Sequence, residues 1–134
     1  MLTSLALATV LATTGQTRPN IWLPSSEAIE IARAAATEWN RRPLPRGTSF
    51  DVVDAESNSM PGYVSVLYYV GVRPLMEISI NLATGQVVEP NRCLIFHGPK
   101  IRAFSSMVRR KTGVRAIPLE TLANNIGCDA LRRD

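Results

Sequence analysis

Three strand-like segments in close succession constrain the fold of this chain more than any other feature of its sequence. Residues 63–70 are almost all apolar or aromatic, as in a central strand that is covered on both faces. After a short break, residues 75–82 alternate between apolar and polar side chains, and residues 86–88 read as a third, short strand. The turn between them, residues 83–85, ends in Gly85, which can adopt a positive φ. Short connections of this kind join antiparallel neighbours, so the segment predicts a β-meander.

The alternation in the second of these segments predicts how the sheet is covered. Side chains at every second position of a strand point to the same face. One face would carry Met76, Ile78, Ile80 and Leu82, and the other Glu77, Ser79 and Asn81. We therefore expect the apolar face to lie against a core and the polar face to be solvated.

An amphipathic helix is predicted at residues 26–42, upstream of the meander. Small and apolar side chains recur there at spacings of three and four and form one stripe, namely Ala28, Ile31, Ala32, Ala35 and Trp39. Pro43 and Pro45 prevent the helix from continuing. Because alanine side chains are small, the stripe can approach the sheet closely, and we expect it to pack on the apolar face of residues 75–82.

The remaining elements complete an α+β arrangement. Residues 50–53 read as a first short strand, and residues 100–112 and 118–125 read as two helices. The predicted fold is an N-terminal helix packed on a small antiparallel meander sheet of about four strands, followed by two C-terminal helices. A length of 134 residues with 46% hydrophobic and 19% charged residues fits one globular domain, which we place at residues 25–134.

The N-terminus reads as a candidate signal peptide at residues 1–15. Its side chains are apolar or small, and the first charged side chain is that of Arg18. The apolar run fits the hydrophobic region of a signal peptide and is too short to span a bilayer. A buried N-terminal helix is the alternative. The leader predicts a periplasmic or secreted protein.

Two cysteines agree with this prediction. Cys93 follows the third strand of the meander, and Cys128 follows the last predicted helix. In an oxidising compartment such a pair can form a disulfide, which would fasten the C-terminal helices to the sheet. Two buried thiols that are not linked are the alternative.

No recognised catalytic motif, metal-binding motif or cofactor-binding motif occurs in the sequence. His97 is the single histidine and stands beside Gly-Pro, which favours a loop residue. Three carboxylates, Asp51, Asp54 and Glu56, lie close together, but their spacing matches no calcium loop. We therefore predict no catalytic residue, no metal and no cofactor.

The C-terminal part of the chain is strongly basic. From residue 98 onward there are eight Lys and Arg side chains against three Asp and Glu. Five of them fall in the predicted helix at residues 100–112, and four of these, Arg102, Arg109, Arg110 and Lys111, are the candidate contact residues. This helix is the predicted contact surface for a partner, and its charge favours an acidic one. A plain solvated helix face is the alternative.

Two short segments resemble the PepSY-type domain. Ser-Glu-Ala-Ile-Glu-Ile-Ala at residues 26–32 is similar to the start of that family's helix. Ile-Asn-Leu-Ala-Thr-Gly-Gln-Val-Val at residues 80–88 is similar to its final hairpin, with Asn81 where the family often has Asp. The resemblance covers about residues 25–89. The helical extension at residues 90–134 departs from the pattern and leaves a cystatin-like inhibitor plan as the alternative.

This resemblance implies an exported, non-enzymatic domain that binds or inhibits another protein, in some relatives a peptidase. The alternative hypothesis is a periplasmic immunity protein that neutralises a toxin. A small hydrolase based on His97, or nucleic-acid binding through the basic helix, has less support. The predicted partner is a protein with an acidic surface, with no nucleic acid and no membrane span.

Overall fold

The computed structural model describes residues 19–54, 56–58 and 60–133. The predicted leader at residues 1–15 therefore lies outside the described residues. The elements in chain order are α1 (Ser25–Asn40), β1 (Thr48–Val52), β2 (Tyr63–Val70), β3 (Arg73–Asn81), β4 (Val87–Glu89), β5 (Leu94–Phe96), α2 (Pro99–Thr112), α3 (Leu119–Asn125) and β6 (Arg132–Arg133).

The strands form one sheet in the order of the sequence, β1 to β6. Neighbours pair antiparallel as far as β5, whereas β5 and β6 pair parallel. The α+β class and the meander are confirmed. The sheet is wider than the four strands expected, because the short β5 and the two-residue β6 add to its far edge.

The first core lies between α1 and one face of the sheet. Ala28, Ile31 and Ala35 are buried there, together with Met76 and Ile78 of β3. This is the predicted contact between the helix stripe and the apolar strand face. Arg41 ends the helix in the left-handed conformation, with φ of 59°.

Trp39 differs from the rest of the stripe, because it is only half-buried. It packs against the edge of the first core, and the guanidinium of Arg92 lies 5.3 Å from the centre of its ring. The indole therefore covers the core from outside and contacts a cation on one side.

We expect Trp39→Ala to lower the free energy of unfolding by about 2 kcal/mol, less than the roughly 3–5 kcal/mol typical of a fully buried tryptophan. Trp22→Ala is the matched control, since its side chain is 85% exposed. The control should change stability by less than about 0.5 kcal/mol. Urea unfolding followed by circular dichroism measures both, and equal losses in the two variants would contradict the assigned contact.

The prediction of a solvated second face is wrong. Ser79 and Asn81 are buried, and the hydroxyls of Ser65 and Ser79 hydrogen-bond to each other at 3.0 Å. A second apolar cluster covers this face, with Val88, Ile95 and Leu122 at its centre. The polar residues tolerate burial because their hydrogen bonds are satisfied within the sheet and the turn that follows it.

Glu89 is a carboxylate with no exposed surface. One of its oxygens accepts the backbone N–H of Glu77 at 2.8 Å, and the other accepts that of Arg92 at 2.7 Å. The Arg92 guanidinium lies 3.7 Å from the carboxylate. After β4 the chain turns away from β3, and the Glu89 side chain supplies the acceptor that a continuing strand would have provided.

The predicted bridge between Cys93 and Cys128 is present, with Cα atoms 5.8 Å apart. It joins the turn before β5 to the segment after α3. The backbone N–H of Arg132 donates to the carbonyl of Cys93 at 2.8 Å, so the bridge and β6 fasten the same region. No helix in the described part of the chain combines the length and apolarity needed to cross a membrane.

Candidate functional site

The turn at residues 83–86 forms the support of the candidate site. The side-chain oxygen of Asn81 accepts the backbone N–H groups of Ala83 and Thr84, both at 2.9 Å, which closes the turn. Gly85 has φ of 74°, and a Cβ built on it would lie 2.6 Å from Cα of Ser105. Glycine is therefore required here, because α2 lies directly on the turn.

Three consecutive carbonyls of this turn accept hydrogen bonds from side chains of α2. The Thr112 hydroxyl donates to Ala83 at 2.7 Å and the Ser105 hydroxyl donates to Gly85 at 2.5 Å. Between them, Nη1 of Arg109 donates to the carbonyl of Thr84 at 3.3 Å. The turn thus fixes the rotation of α2 about its own axis.

The fourth turn residue, Gln86, holds the loop that follows α2. Its Nε2 donates to the carbonyl of Ile117, and its Oε1 accepts the backbone N–H of the same residue, both at 2.9 Å. Gly113 ends α2 in the left-handed conformation. The loop between Gly113 and Ile117 is consequently fastened at both ends.

A basic groove lies between the C-terminal half of α2 and this fastened loop. It has a volume of about 470 Å³ and is lined by Ser106, Arg109, Arg110, Gly113, Val114, Arg115 and Ala116. Three of these residues are arginines and none is acidic. Among the described residues, no carboxylate lies within ion-pair distance of the three guanidinium groups. We call this concavity the arginine groove.

The four basic residues predicted as a contact surface do not lie together. Arg109 and Arg110 line the arginine groove, but Arg102 is at the other end of α2, where it donates to the carbonyl of His97 at 2.6 Å. Lys111 is exposed and follows Arg110 by about 100° around the helix, away from the groove. Arg115 completes the groove although it was not among the predicted contact residues.

The residues considered for chemistry are dispersed. His97 lies before α2, and its backbone N–H, with that of Gly98, donates to the carboxylate of Glu38. Glu38 thereby provides acceptors at the start of α2, where the helix dipole favours negative charge. Within the described ranges, no three His, Cys, Asp or Glu side chains are placed to hold a metal ion.

Comparison with known proteins gives a likeness in structure. No family model and no curated protein matches the chain. A chain of the type VI secretion system effector–immunity complex from Pseudomonas protegens has a similar structure, with a TM-score of 0.59 and 23% identity. The match covers 79% of this chain and 90% of that one. At this identity the likeness shows a shared fold.

Proposed function

We propose that this protein is an exported immunity protein, which binds a protein toxin and neutralises it. The observation that carries the proposal is the shared fold with a chain of an effector–immunity complex, over most of both chains. The role of the binding component fits the features of this chain better than the role of the toxin. Its distinctive surface is a shallow basic groove whose two sides are held by hydrogen bonds, which suits recognition of another protein.

The disulfide supports the location that we propose. Bonds such as Cys93–Cys128 form and persist in oxidising compartments, which include the bacterial periplasm. A protein that neutralises a toxin acting in the cell envelope would have to bind it in that compartment. The inhibition of an envelope peptidase, which the PepSY resemblance implies, remains a prediction within the same class of function.

We expect the tagged domain, exported and with its disulfide intact, to retain one protein in about equal amount from its own cell envelope. Affinity capture followed by mass spectrometry and light scattering measures the identity and the stoichiometry of the complex. An unrelated disulfide-containing domain of similar size serves as the control bait. If the domain retains no protein that the control lacks, the proposal of a protein partner is wrong.

A further inference from the structure

We infer that the arginine groove binds carboxylate side chains from an acidic segment of the partner protein. This inference rests on the proposed function, because it names the chemistry by which the toxin is recognised. Arg110 and Arg115 stand at the groove without a carboxylate partner in the described chain. The guanidinium fork matches the geometry of a carboxylate and can bind it through two parallel hydrogen bonds.

The groove is organised before any ligand arrives. One wall is α2, whose rotation is fixed by the hydrogen bonds of Ser105 and Thr112 to the turn. The other wall is the loop that Gln86 holds through two hydrogen bonds to Ile117. Binding to fixed walls costs less conformational entropy than ordering a free loop, so three arginines can contribute usefully to affinity.

Arg109 has a particular place in this arrangement. Its guanidinium donates to the carbonyl of Thr84 and is half-buried. The contact restrains the side chain at the groove that it lines and uses one of its five donor positions. The remaining donors stay available, and the charge stays in the site. Arg109 therefore links the supporting turn to the ligand-binding surface.

The lining favours a protein ligand over other anions. Single-stranded nucleic acid is usually bound by basic side chains interleaved with aromatic ones, on which bases stack. The seven lining residues include no aromatic side chain. Acidic side chains on a loop or helix of the partner match the charge of the three arginines.

The test compares two double charge reversals that change net charge equally. Arg110→Glu with Arg115→Glu alters the groove, and Arg46→Glu with Arg73→Glu alters two exposed arginines elsewhere. The probe is a fluorescein-labelled peptide of ten glutamates, and fluorescence anisotropy measures its affinity at 0.15 M salt. Screening over about 8 Å limits the effect of distant charges under these conditions. We expect at least a tenfold loss of affinity in the groove variant and less than a twofold change in the control.

Gln86→Leu tests the positioning of the loop independently of the positive charge of the groove. It removes the two hydrogen bonds to Ile117 and keeps every arginine. We expect a loss of about threefold to tenfold in affinity for the peptide, with the salt dependence of the wild type retained. Thermal melting verifies that each variant is folded. Equal affinities in the groove variant and its control would overturn the inference.

Two further measurements complete the test. Tighter binding of a twenty-residue thymidine oligonucleotide, or of phosphatidylserine vesicles, than of the glutamate peptide would assign the groove to another anion and overturn the inference. The partner captured from the envelope is then measured against the same variants. If the groove variant binds that partner as tightly as the wild type, the inference fails while the proposed function stands.

Discussion

The Glu89→Ala variant is expected to lose about 3–6 kcal/mol of unfolding free energy, since each of two hydrogen bonds to a carboxylate contributes about 1.5–3 kcal/mol. Both acceptors for the N–H groups of Glu77 and Arg92 disappear with the side chain. The nearby guanidinium contributes less, because Arg92 is 38% exposed and its closest approach to the carboxylate is 3.7 Å. The loss therefore comes from two backbone donors without partners. Urea unfolding measures it.

Two controls separate this effect from the loss of a negative charge. Glu120→Ala removes an exposed carboxylate from the first turn of α3 and should cost less than about 1 kcal/mol. Glu89→Gln keeps one acceptor oxygen and should fall between alanine and the wild type. If Glu89→Ala proves no more harmful than Glu120→Ala, the side chain does not complete the sheet as described.

The variant with both Cys93 and Cys128 changed to alanine is expected to be less stable by roughly 3–4 kcal/mol in the chain-entropy model, given the sequence separation of 35 residues. The loss should be uneven across the fold. The bridge fastens α3 and β6, whereas β2 and β3 are held by their own pairing and by α1. Hydrogen exchange should therefore show lost protection first in α3 and β6.

Reduction of the wild-type protein provides the control for this prediction. It should reproduce both the lower stability and the uneven exchange, because the two samples then share the missing bridge. Equal loss of protection in all strands of the sheet would show that the disulfide does not stabilise α3 and β6 more than the rest of the fold. A stability unchanged within about 0.5 kcal/mol would contradict the contribution assigned to the bridge.

The sequence predicted the elements whose signals are local. Residues 63–70 coincide with β2, and residues 100–112 differ from α2 by one residue at the start. The short strands β5 and β6 lacked such a signal. Three apolar residues suit a strand or a buried loop equally, and two arginines do not suggest a strand at all. β5 is placed by its pairing with β4 just before it, and β6 is placed by its parallel pairing with β5, which lies far from it in the sequence.

The covering of the second sheet face could not be read from alternation. A polar residue on a strand is usually solvated, and Ser79 and Asn81 fit that expectation in sequence. Their burial depends on α3 and the segments around it folding back over the sheet. Alternation predicts which residues of a strand share a face of the sheet. It does not predict whether a later element of the chain covers that face.

The candidate site was only partly predictable for a similar reason. The basic excess after residue 98 directed the prediction to α2, and helical geometry alone would have separated Lys111 from Arg110. The inclusion of Arg115 requires knowing that the loop after Gly113 returns to the side of the helix. The hydrogen bonds between the Gln86 side chain and the backbone of Ile117 fix that path. No local sequence pattern predicts that a glutamine binds a backbone segment 31 residues away.

A growth assay tests neutralisation most directly. Cells that export the captured partner into their own periplasm are grown in two forms. One also exports this protein, and the other exports its variant with Cys93 and Cys128 changed to alanine. If the protein is an immunity protein, cells with the partner alone stop growing, and co-export of the wild type restores growth. A captured partner that is harmless on its own, or toxicity that persists when both proteins are present as a complex, would contradict the proposed function.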